Sequence, residues 1–383
     1  MYIALLMLLP IAIGLFEMIF LKGRIGWREF IAMELAVLAV MGIGFAIARY
    51  SATTDTEIWS GVVTGKEQNT VSCSHSYSCN CRDDCTSDSK GNQSCSQVCD
   101  TCYEHSHDYD WDVNTNIGSV ITIDRIDRQG TDEPPRWTQV YAGEPVAVEH
   151  TFTNYIKANP DTVLTRFTAT NPENLPVPNP PTEVYDYYRV KRFLPVAYAE
   201  PHADEWNWLL DRVNAIYGPT KQVNVIIVAV KTADQNYQYL LEHHWLGGKK
   251  NDLVILLGVP EYPKIGWVKI MSWSKSEGLK VQLRDAIQDI GTMERRDDIM
   301  KAVEQQIATN WERRHMKEFE YLMAGAQPGP GATIFLMILG TLMTAGLSWF
   351  FCVQDPFGTN DEGMDYRYRR FTNGRFNGYY SRY

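Results

Sequence analysis

Three apolar stretches constrain this chain more than any other feature, because each is long enough to cross a lipid bilayer, which takes about 20 residues. They cover residues 1–21, 30–48 and 332–353. The first lacks the basic leader and small-residue cleavage site of a signal peptide, so it reads as retained. The connector 22–29 carries Lys22, Arg24 and Arg28, and the tail 354–383 carries Arg367, Arg369, Arg370, Arg375 and Arg382. Positive charge beside helix ends marks the cytoplasmic face. The expectation is a protein with three transmembrane helices, integral to a membrane such as the bacterial inner membrane. Residues 1–49 form a two-helix hairpin, the N-terminus and the central region are extracytoplasmic, and the tail is cytoplasmic. Glu17 and Glu34 lie within or beside the spans, near Lys22 and Arg24, and read as structural carboxylates that reach interfacial water. Gly42 with Ala46 and Thr341 with Ala345 give the small-residue spacing that permits close helix packing.

The central region divides by pattern. Residues 50–170 read as a β-rich lobe, with short strands expected at 58–64, 119–124, 138–141 and 146–152. Residues 171–182 hold five prolines and read as a linker or an extended strap. From residue 183 helices alternate with nearly continuous apolar strands, as in a parallel sheet covered on both faces. A long charged helix is expected from Met293 to Met323, followed by a Pro/Gly break before residue 332, so that 293–331 connects the α/β lobe to the last span. The fold class is a membrane-anchored α/β protein with a β-rich, Cys-rich lobe and a Rossmann-like α/β lobe.

Seven of the eight cysteines fall in the module 73–102: Cys73, Cys79, Cys81, Cys85, Cys95, Cys99 and Cys102, with His75, His105 and His107 interspersed or adjacent. In an oxidising compartment, thiols at this density form disulfides that staple a segment too polar to build a core. Seven is odd, so at least one thiol stays outside an intrachain set. The competing reading is zinc: Cys99-x2-Cys102 followed by His105 and His107 offers soft ligands at zinc-like spacing, and Cys79, Cys81 and Cys85 offer others. A redox module is the third alternative. Cys352, inside an apolar span, reads as a small apolar residue.

After the module, residues 105–113 read as a strand whose alternate positions put Asp108, Asp110 and Asp112 on one face. Three such carboxylates can hold calcium, or form a solvated face. Asp252, ahead of a buried strand, is a further oxygen ligand. Tyr185, Tyr187, Tyr188 and Trp208 are candidates for a partner surface, where Tyr and Trp are favoured.

The strand Val223-Asn-Val-Ile-Ile-Val-Ala-Val230, a helix, and then Trp245-Leu-Gly-Gly-Lys-Lys-Asn-Asp-Leu-Val-Ile-Leu-Leu257 resemble the TPM domain family over residues 185–292. That resemblance implies a small Rossmann-like domain of the kind anchored to membranes in the periplasm or thylakoid lumen. Some members of that family bind calcium, some show phosphatase activity, and several assist assembly or quality control of membrane complexes. The stretch Met271–Gly278 lacks the paired glycines of the family, which weakens any metal or phosphate site there. The cysteine module is foreign to it. The combination is similar to uncharacterised membrane proteins of large tailed bacteriophages.

The acidic balance, a formal net charge of -10, argues against nucleic acid as a partner. Gly247-Gly-Lys-Lys-Asn-Asp252 is not a nucleotide loop, since it runs from helix to strand and lacks the first glycine and the hydroxyl residue. The reading is a non-catalytic, membrane-tethered binding or assembly factor whose partners are the lipid bilayer and a membrane or envelope protein, with homo-oligomers open. The alternative is a cation-dependent, phosphatase-like hydrolase using the aspartates. Zinc and calcium are the cofactors these residues admit.

Overall fold

The computed structural model describes residues 2–20, 25–87, 93–162, 164, 171, 173–354 and 356–357. Lys22, Arg24 and the tail arginines lie outside them. One unit of the chain is helical: α1 (Tyr2–Phe20), α2 (Trp27–Ala52) and the C-terminal helix Pro330–Gln354 pack around Leu6, Met33, Val37, Met41 and Leu336. Two of them, α2 and Pro330–Gln354, are long and apolar enough to cross a membrane, and only 28% of the apolar window of each is buried. Ile31, Leu35, Ile43 and Ile47 face outward from α2, as do Ile334, Phe335 and Leu342 from its partner. Glu34, Thr344 and Ser348 face inward, and Ser348 donates to Glu17. Polar inside and apolar outside is the reverse of a water-soluble bundle. Among the described residues two helices of spanning length are found rather than the three expected; in α1 the apolar run described is Leu6–Phe20.

The second unit comprises residues 56–152 and 167–315. It begins with an antiparallel sheet of β1 (Thr54–Val71), β4 (Asp108–Thr115), β5 (Val120–Ile123) and β6 (Pro145–Thr153), in the order β5-β4-β1-β6. Between β1 and β4 the chain leaves this sheet as a hairpin of β2 (Ser76–Ser87) and β3 (Gln93–Tyr103). Inward residues Val63, Val113, Ile123 and Val146 form the sheet's core with Val140. The strand expected at 138–141 is instead the end of a helical turn, Pro135–Gln139. Pro135 at the first helical position starts that turn, and Trp137 anchors it by donating from its indole to the Asp112 carbonyl at 3.1 Å.

Beyond residue 183 a four-stranded sheet forms from β7 (Phe193–Val196), β8 (Asn224–Val230), β9 (Asp252–Gly258) and β10 (Trp267–Ser272). The first three are parallel and β10 runs antiparallel to β9. The connection from β9 to β10 is too short for the crossover helix that a parallel strand requires. Helices α3 (Ala203–Lys221), α4 (Glu277–Ile290) and α5 (Arg296–Asn310) cover one face through Trp206, Leu210, Leu283, Ile299 and Val303. The helix Tyr237–His244 covers the other. The long helix expected from Met293 to Met323 is broken: α5 stops at Asn310, and a 3-10 helix covers Met316–Gly325. The apolar positions that hold α5 on the sheet end at Trp311, whose indole donates to the Lys221 carbonyl at 3.0 Å.

The proline segment is a strap on the second face of this sheet. Prolines leave their carbonyls free, and two aromatic side chains use them. Tyr237 donates to the Pro176 carbonyl at 2.8 Å and Trp245 to the Pro178 carbonyl at 2.7 Å. The two sheets are not independent lobes. Arg192, just before β7, reaches Ser60 of β1 at 2.7 Å, and Arg313 reaches the buried Glu57 of β1 at 2.6 Å.

Candidate metal centre

The β2–β3 hairpin explains most of the cysteines. Its strands carry too few apolar residues to bury a face, and its described residues are almost all exposed. A two-stranded ribbon of about 11 residues a side is roughly 37 Å long and marginal in water by itself. Three disulfides supply the missing constraint: Cys79–Cys102, Cys81–Cys99 and Cys85–Cys95. Cys85 and Cys95 are direct cross-strand partners. The zinc set built on Cys99, Cys102 and Cys79, Cys81, Cys85 is therefore consumed by disulfides. Cys73 and Cys352 remain as thiols.

Cys73 stands at the root of this ribbon. The chain leaves β1 at Val71, passes Cys73 and His75, and enters β2; it returns from β3 through His105 to β4 at Asp108. Val71 and Asp108 are register partners, and the Glu104 amide donates to the His75 carbonyl at 3.0 Å. These pairings force the two connectors side by side. As a result, one ligand atom each from Cys73, His75, His105 and Asp108 lies within 4.8 Å of the other three. Cys73 Sγ is 3.8 Å from His105 Nδ1, His105 Nδ1 is 3.3 Å from Asp108 Oδ1, and His75 Nδ1 is 3.6 Å from Asp108 Oδ2. Cys73 and Asp108 are buried, and both imidazoles are half-buried.

The Asp108 carboxylate is held from behind. Its Oδ2 accepts from the Ser74 amide at 3.0 Å, the Ser74 hydroxyl at 3.3 Å and Arg125 Nη1 at 2.9 Å. The Ser74 amide, then the Arg125 guanidinium and Cys73, keep the carboxyl well below the usual range although burial opposes them. Its Oδ1 accepts no hydrogen bond, and neither does the buried His75 Nδ1 take part in one. Arg125 is fixed in turn by Asp110, at 2.7 and 3.1 Å, and by the loop that follows. In that loop Asp127 accepts from the Gly130, Thr131 and Asp132 amides, and Gly130 adopts φ +81 with its position against the Tyr109 carbonyl closed to any side chain.

The other expected site residues lie elsewhere. His107 pairs with Ser106 at 2.8 Å and Tyr109 at 2.9 Å. Asp112 accepts from Asn69 at 2.8 Å and Thr122 at 2.6 Å, so the three aspartates of β4 face protein donors. Asp252 sits in the other sheet, bonded to Asn224 at 2.9 Å and to the Lys249 amide at 2.7 Å. Tyr185, Tyr187 and Trp208 are exposed, whereas Tyr188 is buried in the core of the first sheet beneath Arg136, where it cannot meet a partner. A concavity of about 400 Å³ beside β10, lined in part by Glu242, Glu277, Lys280 and Arg314, is polar and separate from the cluster.

Cys73, His75 and His105 are among the residues expected for disulfides or zinc, and Asp108 among those expected for calcium, but the zinc-like spacing singled out Cys99, Cys102, His105 and His107. The signal for the actual cluster was symmetry: Cys73-x-His75 on one flank of the six paired cysteines and His105-x2-Asp108 on the other. No protein-family model, no curated protein and no solved structure matches this chain.

Proposed function

We propose that this protein is a membrane-tethered, non-catalytic binding or assembly factor that presents the β2–β3 ribbon to a membrane or envelope protein on the oxidising side of the bilayer. The observation that carries this reading is the ribbon itself. Three disulfides rigidify it, and it offers Tyr77, Val98 and Tyr103 to solvent rather than to a core. Rigid exposed aromatics bind partners at low entropic cost.

Placement of residues 53–329 on one side of the membrane needs only α2 and Pro330–Gln354 as spans, whatever α1 does. The basic connector and tail then fall on the cytoplasmic side, and the disulfides fall where thiols oxidise. The resemblance of residues 185–292 to a family that includes assembly factors points the same way.

Two experiments on the full chain in membranes test this. Protease added to right-side-out vesicles should remove the central region, and inverted vesicles should protect it; the opposite result would reverse the orientation. A photo-crosslinking residue at Tyr77, Val98 or Tyr103 should yield one discrete protein adduct, with none from Val120 or Tyr141 on the body. Ribbon positions that yield no adduct while body positions do would sink the ribbon as the recognition element.

A further inference from the structure

We infer that Cys73 Sγ, His75 Nδ1, His105 Nδ1 and Asp108 Oδ1 bind one zinc ion, which clamps the root of the ribbon. The inference stands apart from the identity of any partner.

Geometry carries it first. With zinc bonds of about 2.0–2.3 Å, a tetrahedron has edges of about 3.3–3.6 Å between ligand atoms. Two edges of the proposed set measure 3.3 Å (His105 Nδ1 to Asp108 Oδ1) and 3.8 Å (Cys73 Sγ to His105 Nδ1), and one ligand atom of each of the four residues lies within 4.8 Å of the others, so an ion draws the set together by about 1 Å or less. The donors choose the metal. One thiolate, two imidazoles and one carboxylate suit a borderline ion, whereas calcium and magnesium take oxygen shells.

Two buried polar atoms provide independent support. Asp108 Oδ1 and His75 Nδ1 have no hydrogen-bond partner, although a buried polar atom left alone is costly. Asp108 Oδ1 stands 3.3 Å from His105 Nδ1, and His75 contributes a ligand atom within 4.8 Å of those of Cys73, His105 and Asp108. Meanwhile Ser74 and Arg125 occupy only Oδ2 and so aim Oδ1 inward, which is how carboxylate ligands are oriented around metals. The cysteine pairing fits as well: six thiols oxidise in pairs, and the buried seventh is spared. On binding, zinc displaces the Cys73 proton to solvent and no electron is transferred.

Four protein ligands close the coordination sphere, so the ion is structural rather than catalytic. The two connectors, residues 72–75 and 104–107, have little apolar packing of their own. Zinc bridges them and sets the direction in which the ribbon leaves the sheet.

The test uses the full chain, purified in detergent from an oxidising compartment. Elemental analysis should find one zinc per chain. After chelation, added cobalt should give the visible bands of a tetrahedral site together with a thiolate-to-cobalt charge-transfer band. Cys73→Ser should abolish the charge-transfer band and weaken zinc binding by more than about 100-fold, beyond what loss of a supporting residue costs. His105→Ala should weaken it likewise, while His107→Ala and the Cys85→Ser/Cys95→Ser pair keep full zinc. Cobalt titration of the unmutated protein keeps the inference falsifiable if a variant misfolds. No tetrahedral spectrum in a chain whose Cys73 alkylates as a free thiol would overturn it. So would full zinc in Cys73→Ser, or equal loss in His107→Ala, the mark of adventitious metal.

Discussion

Arg192 Nη2 donates to Ser60 Oγ at 2.7 Å, joining residues 132 positions apart and two sheets of opposite construction. The same guanidinium donates to Asp211 of α3 at 2.7 Å and to Asn224 of β8 at 3.0 Å, so it is spent entirely inside the protein. Replacing it strands three polar groups. Arg192→Ala should cost about 3–5 kcal/mol, the usual result of breaking a buried ion pair from one side. Arg192→Lys should recover only part, since an ammonium cannot reproduce the planar fork. Denaturant unfolding of the detergent-solubilised chain reads both; an unchanged midpoint for Arg192→Ala would remove this residue from the junction.

Gly258 ends β9 against the Trp267 indole. A Cβ there would lie 2.1 Å from the ring, whose N–H donates to the Thr232 carbonyl at 3.1 Å. Gly258→Ala should displace the indole and cost about 1–3 kcal/mol, as overpacking does. The displacement should change tryptophan fluorescence as well as the melting temperature, and a variant with native emission would contradict it.

Asp252 gives stability a pH dependence of unusual sign. Burial raises its pKa from 3.8 to about 6, and hydrogen bonds from Asn224 and the Lys249 amide offset this only in part. Below pH 4 both folded and unfolded chains hold the proton. Between pH 4 and 6 the unfolded chain releases it first, so stability falls as pH rises, and above 6 the loss is complete. The group's contribution is on the order of 3 kcal/mol. Asp252→Asn abolishes this titration. Its stability relative to the parent should therefore climb by about that amount from pH 4 to 7, measured as the difference between two denaturation series. A flat difference would mean that the carboxyl does not titrate in this window.

The ribbon should come apart without the body. Each disulfide closes a separation of 10 to 23 residues, worth about 3 kcal/mol in the chain-entropy model. Reduction under native conditions should make residues 76–103 protease-sensitive while the thermal transition of the α/β sheet persists. Mapping of the oxidised, denatured chain with chelator present should find two alkylatable thiols, Cys73 and Cys352. A third would break the pairing.

Much of the architecture was legible in residue patterns. The runs in β8 and β9 are apolar at nearly every position, and only a sheet covered on both faces buries such strands. Gly291 closes α4 in the left-handed conformation that glycine adopts most readily. Local pattern failed where a distant contact decided the outcome. The residues at 138–141 alternate like a strand, yet Pro135 and the Trp137 contact make them the end of a turn. Tyr188 reads like its neighbours Tyr185 and Tyr187, but the chain turns it into the core.

By itself the sequence determined the two long apolar helices, the α/β core and the need for covalent staples in a ribbon without apolar residues, because hydrophobic period and composition are local properties. Only the tertiary structure decided which cysteine is left over and what surrounds it. Pairing β1 with β4 fixes Val71 opposite Asp108, and that register brings together Cys73, His75, His105 and Asp108 across a 35-residue span. Register is a relation between strands, and residues on either strand alone do not carry it.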